Sequence, residues 1–272
     1  MITSSFEYVA PRSIDEAFSI LRDSDGEGKV LAGGHSLIPL MKLRFARPSI
    51  LVDISRIDGL SGVDEKDDFI EIGAMCSHAV VARSNLIREY SPLLAHVAAQ
   101  IGDAAIRYRG TIGGSICHGD PASDMAGALF ATGAVLVVDG PSGKREFKIE
   151  DFFTGFLETT LDPEEILLAI KLPKVSGKYS FEKLQRRSID WAIVAVALNQ
   201  VGDGLGVGLV NVGPTPVGFK LSLTSDEDTS ALLEQFSEIA SSLTPPSDVF
   251  GSSEYRKEMA KVLFSRALLN LV

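Results

Sequence analysis

The sequence is poor in cysteine: Cys76 and Cys117 are the only two in 272 residues. Iron–sulfur clusters are usually held by a full set of cysteine thiolates, so this chain's cysteines do not carry one. So few thiols also fit a reducing compartment. Basic residues are outnumbered, 26 Lys and Arg against 36 Asp and Glu, for a net charge of −10. A general nucleic-acid role needs a basic surface and is therefore excluded. No apolar run approaches the roughly 20 residues of a membrane span. The first residues, Met1-Ile2-Thr3-Ser4-Ser5-Phe6-Glu7-Tyr8, lack the basic segment and apolar core of a signal peptide. The expectation is a cytoplasmic protein without a membrane span. Internal repeats, low-complexity tracts and the two familiar nucleotide fingerprints, G-x-G-x-x-G and G-x-x-x-x-G-K-[ST], are missing as well.

What is present is an ordinary globular balance, 45% apolar and 23% charged. A chain of this length buries enough surface to fold without a metal or disulfide. Residues 13–22 read as a helix, capped by Ser13 with Glu16 three positions on and Ile14, Ala17, Phe18 and Leu21 on one face. Residues 29–32 read as a strand running into Gly33-Gly34, and helical spacing resumes at Leu37, Leu40 and Met41. Strands are expected at 50–54, 69–74 and 165–172, a helix at 92–101, and a hairpin over 134–149. Residues 107–115 read as a loop leading to a helix of small residues that ends near Thr132. Lys174-Val175-Ser176-Gly177-Lys178 reads as a junction. Beyond it, residues 191–201 are apolar enough for a helix, but the turn Gly202-Asp203-Gly204 favours a long antiparallel hairpin. Two helices, near 226–243 and 253–271, close the chain; in the second, Met259, Val262, Leu263 and Leu269 form an apolar stripe broken by Arg266.

Two glycine-rich segments carry the chemistry, Ala32-Gly33-Gly34-His35-Ser36 and Thr111-Ile112-Gly113-Gly114-Ser115. Glycine pairs allow a run of backbone N–H groups to turn inward and approach an anion. A helix starting after the turn, as at Leu37, adds its partial positive charge. Ser36, Thr111 and Ser115 add hydroxyls. A diphosphate can be held this way without lysine or arginine, which matters in an acidic protein. Either segment alone is better read as a tight turn; the pair, each flanked by apolar sequence and small polar residues, points to a ligand.

The stretch from Leu31-Ala32-Gly33-Gly34-His35-Ser36-Leu37-Ile38-Pro39-Leu40 to Met41-Lys42-Leu43-Arg44 resembles the first FAD-binding motif of the medium, flavoprotein subunits of molybdenum hydroxylases, of the carbon monoxide dehydrogenase and xanthine dehydrogenase type. Ile106-Arg107-Tyr108-Arg109-Gly110-Thr111-Ile112-Gly113-Gly114-Ser115 and Asp120-Pro121-Ala122-Ser123-Asp124 resemble the second. The likeness extends through Glu164-Glu165-Ile166-Leu167-Leu168, Phe181-Glu182-Lys183-Leu184 and Asn211-Val212-Gly213-Pro214-Thr215-Pro216. It implies an α+β fold: a PCMH-type FAD-binding domain of two α/β parts over residues 1–175, then a C-terminal flavoprotein domain, 176–272, of antiparallel sheet with helices. It implies FAD as cofactor, held by Val30, Leu31, Ala32, Gly33, Gly34, His35, Ser36 and Leu37, and by Thr111, Ile112, Gly113, Gly114 and Ser115. Ile101, Asp124, Leu167 and Lys183 fall at further cofactor positions. Trp191 stands where relatives often place a tyrosine near the flavin ring, and Ser115 replaces the commoner asparagine. The implied role is an electron relay: a small subunit with [2Fe–2S] clusters delivers electrons, a large subunit with the molybdenum cofactor hydroxylates the substrate, and NAD+ or a quinone accepts. A dimer of heterotrimers is the implied assembly, with exposed apolar surface where partners dock. The alternative is a self-sufficient FAD-dependent oxidoreductase of the same fold.

The remaining candidates read more plainly. His35 is either near the flavin edge or a hydrogen-bonded turn residue. Cys117-His118 suggests a covalent flavin link or a metal site, but adjacent side chains do not easily serve one site. Cys76 and His78 lack the partners of a zinc site. Asp120 reads as the cap of the following helix. Arg186-Arg187 reads as a solvated patch, with steering of a pyridine nucleotide as the functional alternative. No nucleophile–base constellation is evident, and no metal site is expected.

Overall fold

The computed structural model describes residues 2–175, 177–223 and 229–271. The chain begins with a small parallel α/β unit: β1 (Glu7–Val9), α1 (Ile14–Asp23), β2 (Gly28–Leu31), α2 (Leu37–Lys42) and β3 (Ile50–Asp53). The strands lie in the order β1-β3-β2, with Leu31 opposite Asp53. The Ser13 side chain accepts from the Glu16 amide, and Glu16 accepts in turn from the Arg12 amide, so both ends of a capping interaction are made. Ala17 and Leu21 then bury against Val52 and Ile54.

A second unit follows. It comprises β4 (Val63–Glu65), β5 (Phe69–Gly73), α3 (His78–Arg83), α4 (Asn85–Tyr90), α5 (Pro92–Gln100), α6 (Ala104–Arg109), α7 (Ile112–Cys117) and α8 (Asp124–Thr132). Then come β6 (Val135–Asp139), β7 (Arg145–Lys148), the short hairpin β8 (Phe153–Gly155) and β9 (Glu158–Thr159), and β10 (Ile166–Pro173). Its five-stranded sheet, β4-β5-β10-β6-β7, is antiparallel throughout. Residues 107–115, expected as a loop, are instead largely helical. Asp103 accepts from the Ile106 amide and caps α6; Thr111 accepts from the Gly114 amide and caps α7. Two glycines in six residues argue against a helix by propensity, and the local caps outweigh them. The expected cap at Asp120 is also corrected. Ser123 accepts from the Ala126 amide and caps α8, whereas Asp120 accepts from Ala122 in the preceding turn.

The third unit is a meander, β11 (Tyr179–Leu184), β12 (Val194–Val201), β13 (Gly204–Val210) and β14 (Val217–Ser222), followed by α9 (Thr229–Ser242) and α10 (Ser253–Leu269). The hairpin is thus the correct reading of residues 191–212. The helix-like composition of β12 has a cause: both its faces are buried. Ala195 and Ala197 pack with α5 and α8, while Val194, Val196 and Leu198 pack with α9 and α10. Gly208 permits this layering, because a Cβ there would collide with the Gly127 carbonyl on α8. The expected start of α9 at Asp226 lies outside the described residues, as does Ser176 of the junction. In α10 the inward stripe is Arg256, Ala260, Leu263, Phe264 and Ala267. Val262 and Leu269, expected inward, are exposed. The stripe is shifted because Arg256 is buried, donating to the Ile193 carbonyl and pairing with Asp248.

Candidate cofactor cleft

The turn after β2, the N-terminal end of α7, the start of α8, and residues of β10 and β11 enclose a cleft of about 720 Å³. That lies in the upper part of the roughly 300–1,000 Å³ typical of ligand sites. Val30, Leu31, Ala32, Gly33, Gly34, His35, Ser36 and Leu37 all line it, together with Ile101, Thr111, Gly113, Gly114, Ser115, Asp124, Leu167, Lys183 and Trp191. Ile112 is the exception among the expected residues. Its side chain is fully buried in the core, and its amide donates to the Cys76 carbonyl.

The two glycine segments meet at the cleft floor. A Cβ on Gly33 would run into the Arg109 carbonyl and stand 2.9 Å from Gly110 Cα, so this position has room only for hydrogen. Gly34 turns the chain with φ +77°. The amides of Gly33, Gly34, His35, Ser36 and Leu37 find no acceptor among the described residues, and Ser36 makes no side-chain cap. Orphan backbone donors in a row are what an anion-binding concavity requires. The second segment differs. Gly113 donates to the Ala74 carbonyl at 2.8 Å, Gly114 to Thr111 Oγ1 at 3.1 Å, and Ser115 to the Thr111 carbonyl at 3.0 Å. The row of free amides expected there is absent. What the segment brings to the cleft is close packing and hydroxyls, and the Ser115 hydroxyl itself shares a 3.1 Å hydrogen bond with Ser123.

On the opposite wall, Lys183 Nζ lies 2.6 Å from Asp124 Oδ2, both nearly buried. Asp124 Oδ1 has no partner among the described residues. Burial pushes the Asp124 carboxyl above the ordinary carboxylate range, and the Lys183 charge opposes that shift. Trp191, 62% exposed, stands at the rim beside Ile189.

Several lining residues escaped sequence reasoning. His78 is the clearest. An antiparallel bridge joins Ser77 to Thr111, and the His78 amide donates to the Gly110 carbonyl, so the histidine is carried to the second segment by a long-range pairing. It is buried, with Nδ1 unpartnered among the described residues. Desolvation, reinforced by His35 and Arg107, pushes its pKa down to about 4. The imidazole is therefore neutral at pH 7. The β8–β9 hairpin also reaches the cleft through Thr154, Leu157 and Glu158, with Leu157 in the left-handed region at φ +59°. Cys117 lines the cleft, but burial pushes its thiol up to about 12, which removes the thiolate a covalent link would need. His118 is shifted down, mainly by desolvation. Among the described residues no cluster of three or more His, Cys, Asp or Glu could hold a metal ion.

Comparison with known proteins gives the family of the chain. Residues 4–175 match the family described as the FAD binding domain in molybdopterin dehydrogenase, and residues 179–271 match the CO dehydrogenase flavoprotein C-terminal domain. The chain belongs to the medium, FAD-binding subunits of the molybdenum hydroxylases. This medium subunit is 37% identical over 279 residues to the carbon monoxide dehydrogenase medium chain of Hydrogenophaga pseudoflava, covering 98% of this chain and 97% of that one. It is 35% identical to the glyceraldehyde dehydrogenase medium chain of Sulfolobus acidocaldarius, covering 98% of each. Its fold superposes on the solved carbon monoxide dehydrogenase of H. pseudoflava with a TM-score of 0.93 at 36% identity, covering 100% of this chain and 98% of that one. The cofactor of the family, and of this chain, is FAD. The residues present fit it: the medium subunit offers a cleft lined by amide donors that have no acceptor among the described residues, beside a glycine that admits no side chain. Among the described residues no helix is long and apolar enough to cross a membrane.

Proposed function

We propose that this medium subunit is the electron relay of a molybdenum-dependent hydroxylase or dehydrogenase. In this reading a small [2Fe–2S] subunit supplies electrons, a large molybdenum-cofactor subunit carries the substrate chemistry, and NAD+ or a quinone is the external acceptor. The assembly is a dimer of heterotrimers. The observation that carries the reading is the row of five amides, residues 33–37, that line the cleft and find no acceptor among the described residues. Bound FAD supplies the redox chemistry. The amides of residues 33–37 hold its diphosphate, with the Thr111 and Ser115 hydroxyls nearby. Asp124 and Lys183 fix one polar wall as an ion pair; Ile101 and Leu167 supply apolar contact. Trp191 covers the mouth and limits what reaches the ring.

The test is purification of the tagged chain from its native source. The relay reading expects a flavin spectrum and co-purifying iron–sulfur and molybdenum subunits. It further expects the chain, once separated, to oxidise no substrate unaided. A chain that purifies without those partners, or turns over a substrate alone, sinks the reading and favours a self-sufficient flavoprotein.

A further inference from the structure

Beyond the cleft, the surface of α2 and the turn after it departs from the rest of the molecule in both charge and polarity. The chain has 36 acidic residues, yet none occurs from Lys29 to Val52. Lys42, Arg44 and Arg47 are exposed there and make no ion pair among the described residues. Among them stand Phe45, 80% exposed, and Leu43, 50% exposed, with Ile38 also open to solvent. This is an ordered presentation. The amides of Phe45 and Ala46 donate to the Leu40 carbonyl, Arg47 Nε donates to the Arg44 carbonyl, and Arg44 holds a left-handed φ of +63°. A non-glycine residue in that region is strained and persists only when its surroundings fix it. A protruding aromatic ringed by unpaired cations has the composition of an interface anchor with a charged rim.

The position is equally informative. Leu37 and Leu40 of the same helix line the cofactor cleft, so the surface is separated from it by one helix, about 10 Å across. Electron transfer weakens steeply with distance, so a donor must dock close to the cleft wall. We infer that the face formed by Ile38, Lys42, Leu43, Arg44, Phe45 and Arg47 is the docking surface for the electron-donating iron–sulfur polypeptide, which meets it with an apolar pocket and an acidic rim. The charge complementarity follows from the unneutralised cations on an otherwise acidic chain. This inference rests on the relay reading above.

The experiment uses the tagged chain isolated with its native partners. The compared proteins are wild type, Phe45→Glu, the charge-reversed Lys42→Glu/Arg47→Glu, and Val249→Glu as a control on another exposed apolar residue, 90% accessible. The readouts are the flavin absorbance of the eluate and its [2Fe–2S] electron paramagnetic resonance signal. Both α2-face variants are expected to keep flavin while the iron-to-flavin ratio falls about tenfold or more, as loss of an interface anchor gives. Val249→Glu is expected to keep the wild-type ratio, and raising the salt concentration to weaken the wild-type association. If either α2-face variant keeps both flavin and the wild-type ratio, the docking surface is wrong. If the wild type itself brings no iron–sulfur chain, the relay reading falls first. Two other results overturn the assignment: wild-type dimers that Phe45→Glu turns into monomers, which makes the face a self-contact, and Phe45-dependent binding to anionic phospholipid vesicles, which makes it a membrane contact.

Discussion

Residues 33–37 and 112–115 each carry a Gly-Gly pair, a hydroxyl and apolar flanks, yet they do different physical jobs. The first leaves five backbone donors without an acceptor among the described residues; the second has every donor paired, two of them to the turn after β5 through the Ala74 and Cys76 carbonyls. The first has the row of orphan donors that an anion requires. The second is a wedge that locks α7 against the sheet and presents side chains to the cleft. Composition alone does not separate these roles, because hydrogen bonding depends on what the rest of the fold brings near.

The largest expected effect tests the first segment. Gly33→Val places a side chain against the Arg109 carbonyl where the segments touch. Overpacking of this kind costs about 3 kcal/mol, or about a hundredfold in FAD affinity if the strain falls on the bound state. Flavin release on gel filtration and equilibrium titration of the apoprotein measure it. Retention of wild-type affinity would break the contrast between the segments.

The second segment predicts the opposite balance at Ile112. Its side chain belongs to the core, so Ile112→Ala should cost about 2–4 kcal/mol of stability by leaving a cavity. FAD affinity per folded molecule should stay within a few-fold, since neither its side chain nor its amide faces the ligand. Urea unfolding monitored by circular dichroism, set beside the flavin titration, separates the two quantities. A large loss of affinity with unchanged stability would return Ile112 to the cofactor site.

Much of this was readable in the sequence. The Ser13 cap, β2 running into Gly33-Gly34, the hairpin β12–β13 and the floor of the cleft follow from local patterns. The pairing of two glycine segments pointed to one ligand, and all but one of the expected cofactor residues reach the cleft. What could not be read depends on distant partners. The Lys183–Asp124 pair joins residues 59 positions apart. His78 enters the site only because Ser77 bridges Thr111. Arg256 shifts the inward face of α10 because the Ile193 carbonyl and the Asp248 carboxylate, both outside the helix, await it.

His78 also gives a pH-dependent prediction about the second segment's support. Its folded pKa of about 4 lies below the ordinary value of 6.5, so the unfolded chain binds more protons between those two values. Stability from this group is therefore full above about pH 6.5 and is lost as the pH falls through about 4, by about 3 kcal/mol in total. His78→Gln should flatten that part of the stability profile. Unfolding midpoints measured at half-unit intervals from pH 4 to 7 compare the slopes, and parallel profiles would place the acid sensitivity elsewhere.

The smallest expected effect lies at Ser115, where the chain departs from the commoner asparagine. The Ser115 amide is already paired within the segment and its hydroxyl is engaged with Ser123, the cap of α8. Ser115→Ala should therefore cost about 0.5–1.5 kcal/mol of stability, the worth of one hydrogen bond, through a looser start to α8. FAD affinity should change by a few-fold at most, because the donors proposed to hold the anion belong to the first segment. Ser115→Asn sharpens the point: a longer amide can reach into the cleft, and tighter FAD binding would mean that serine had withdrawn a contact. Unchanged binding with lowered stability would instead show that the second segment acts through α8, and that the division of labour between the two glycine pairs holds at the position where the second departs from the commoner asparagine.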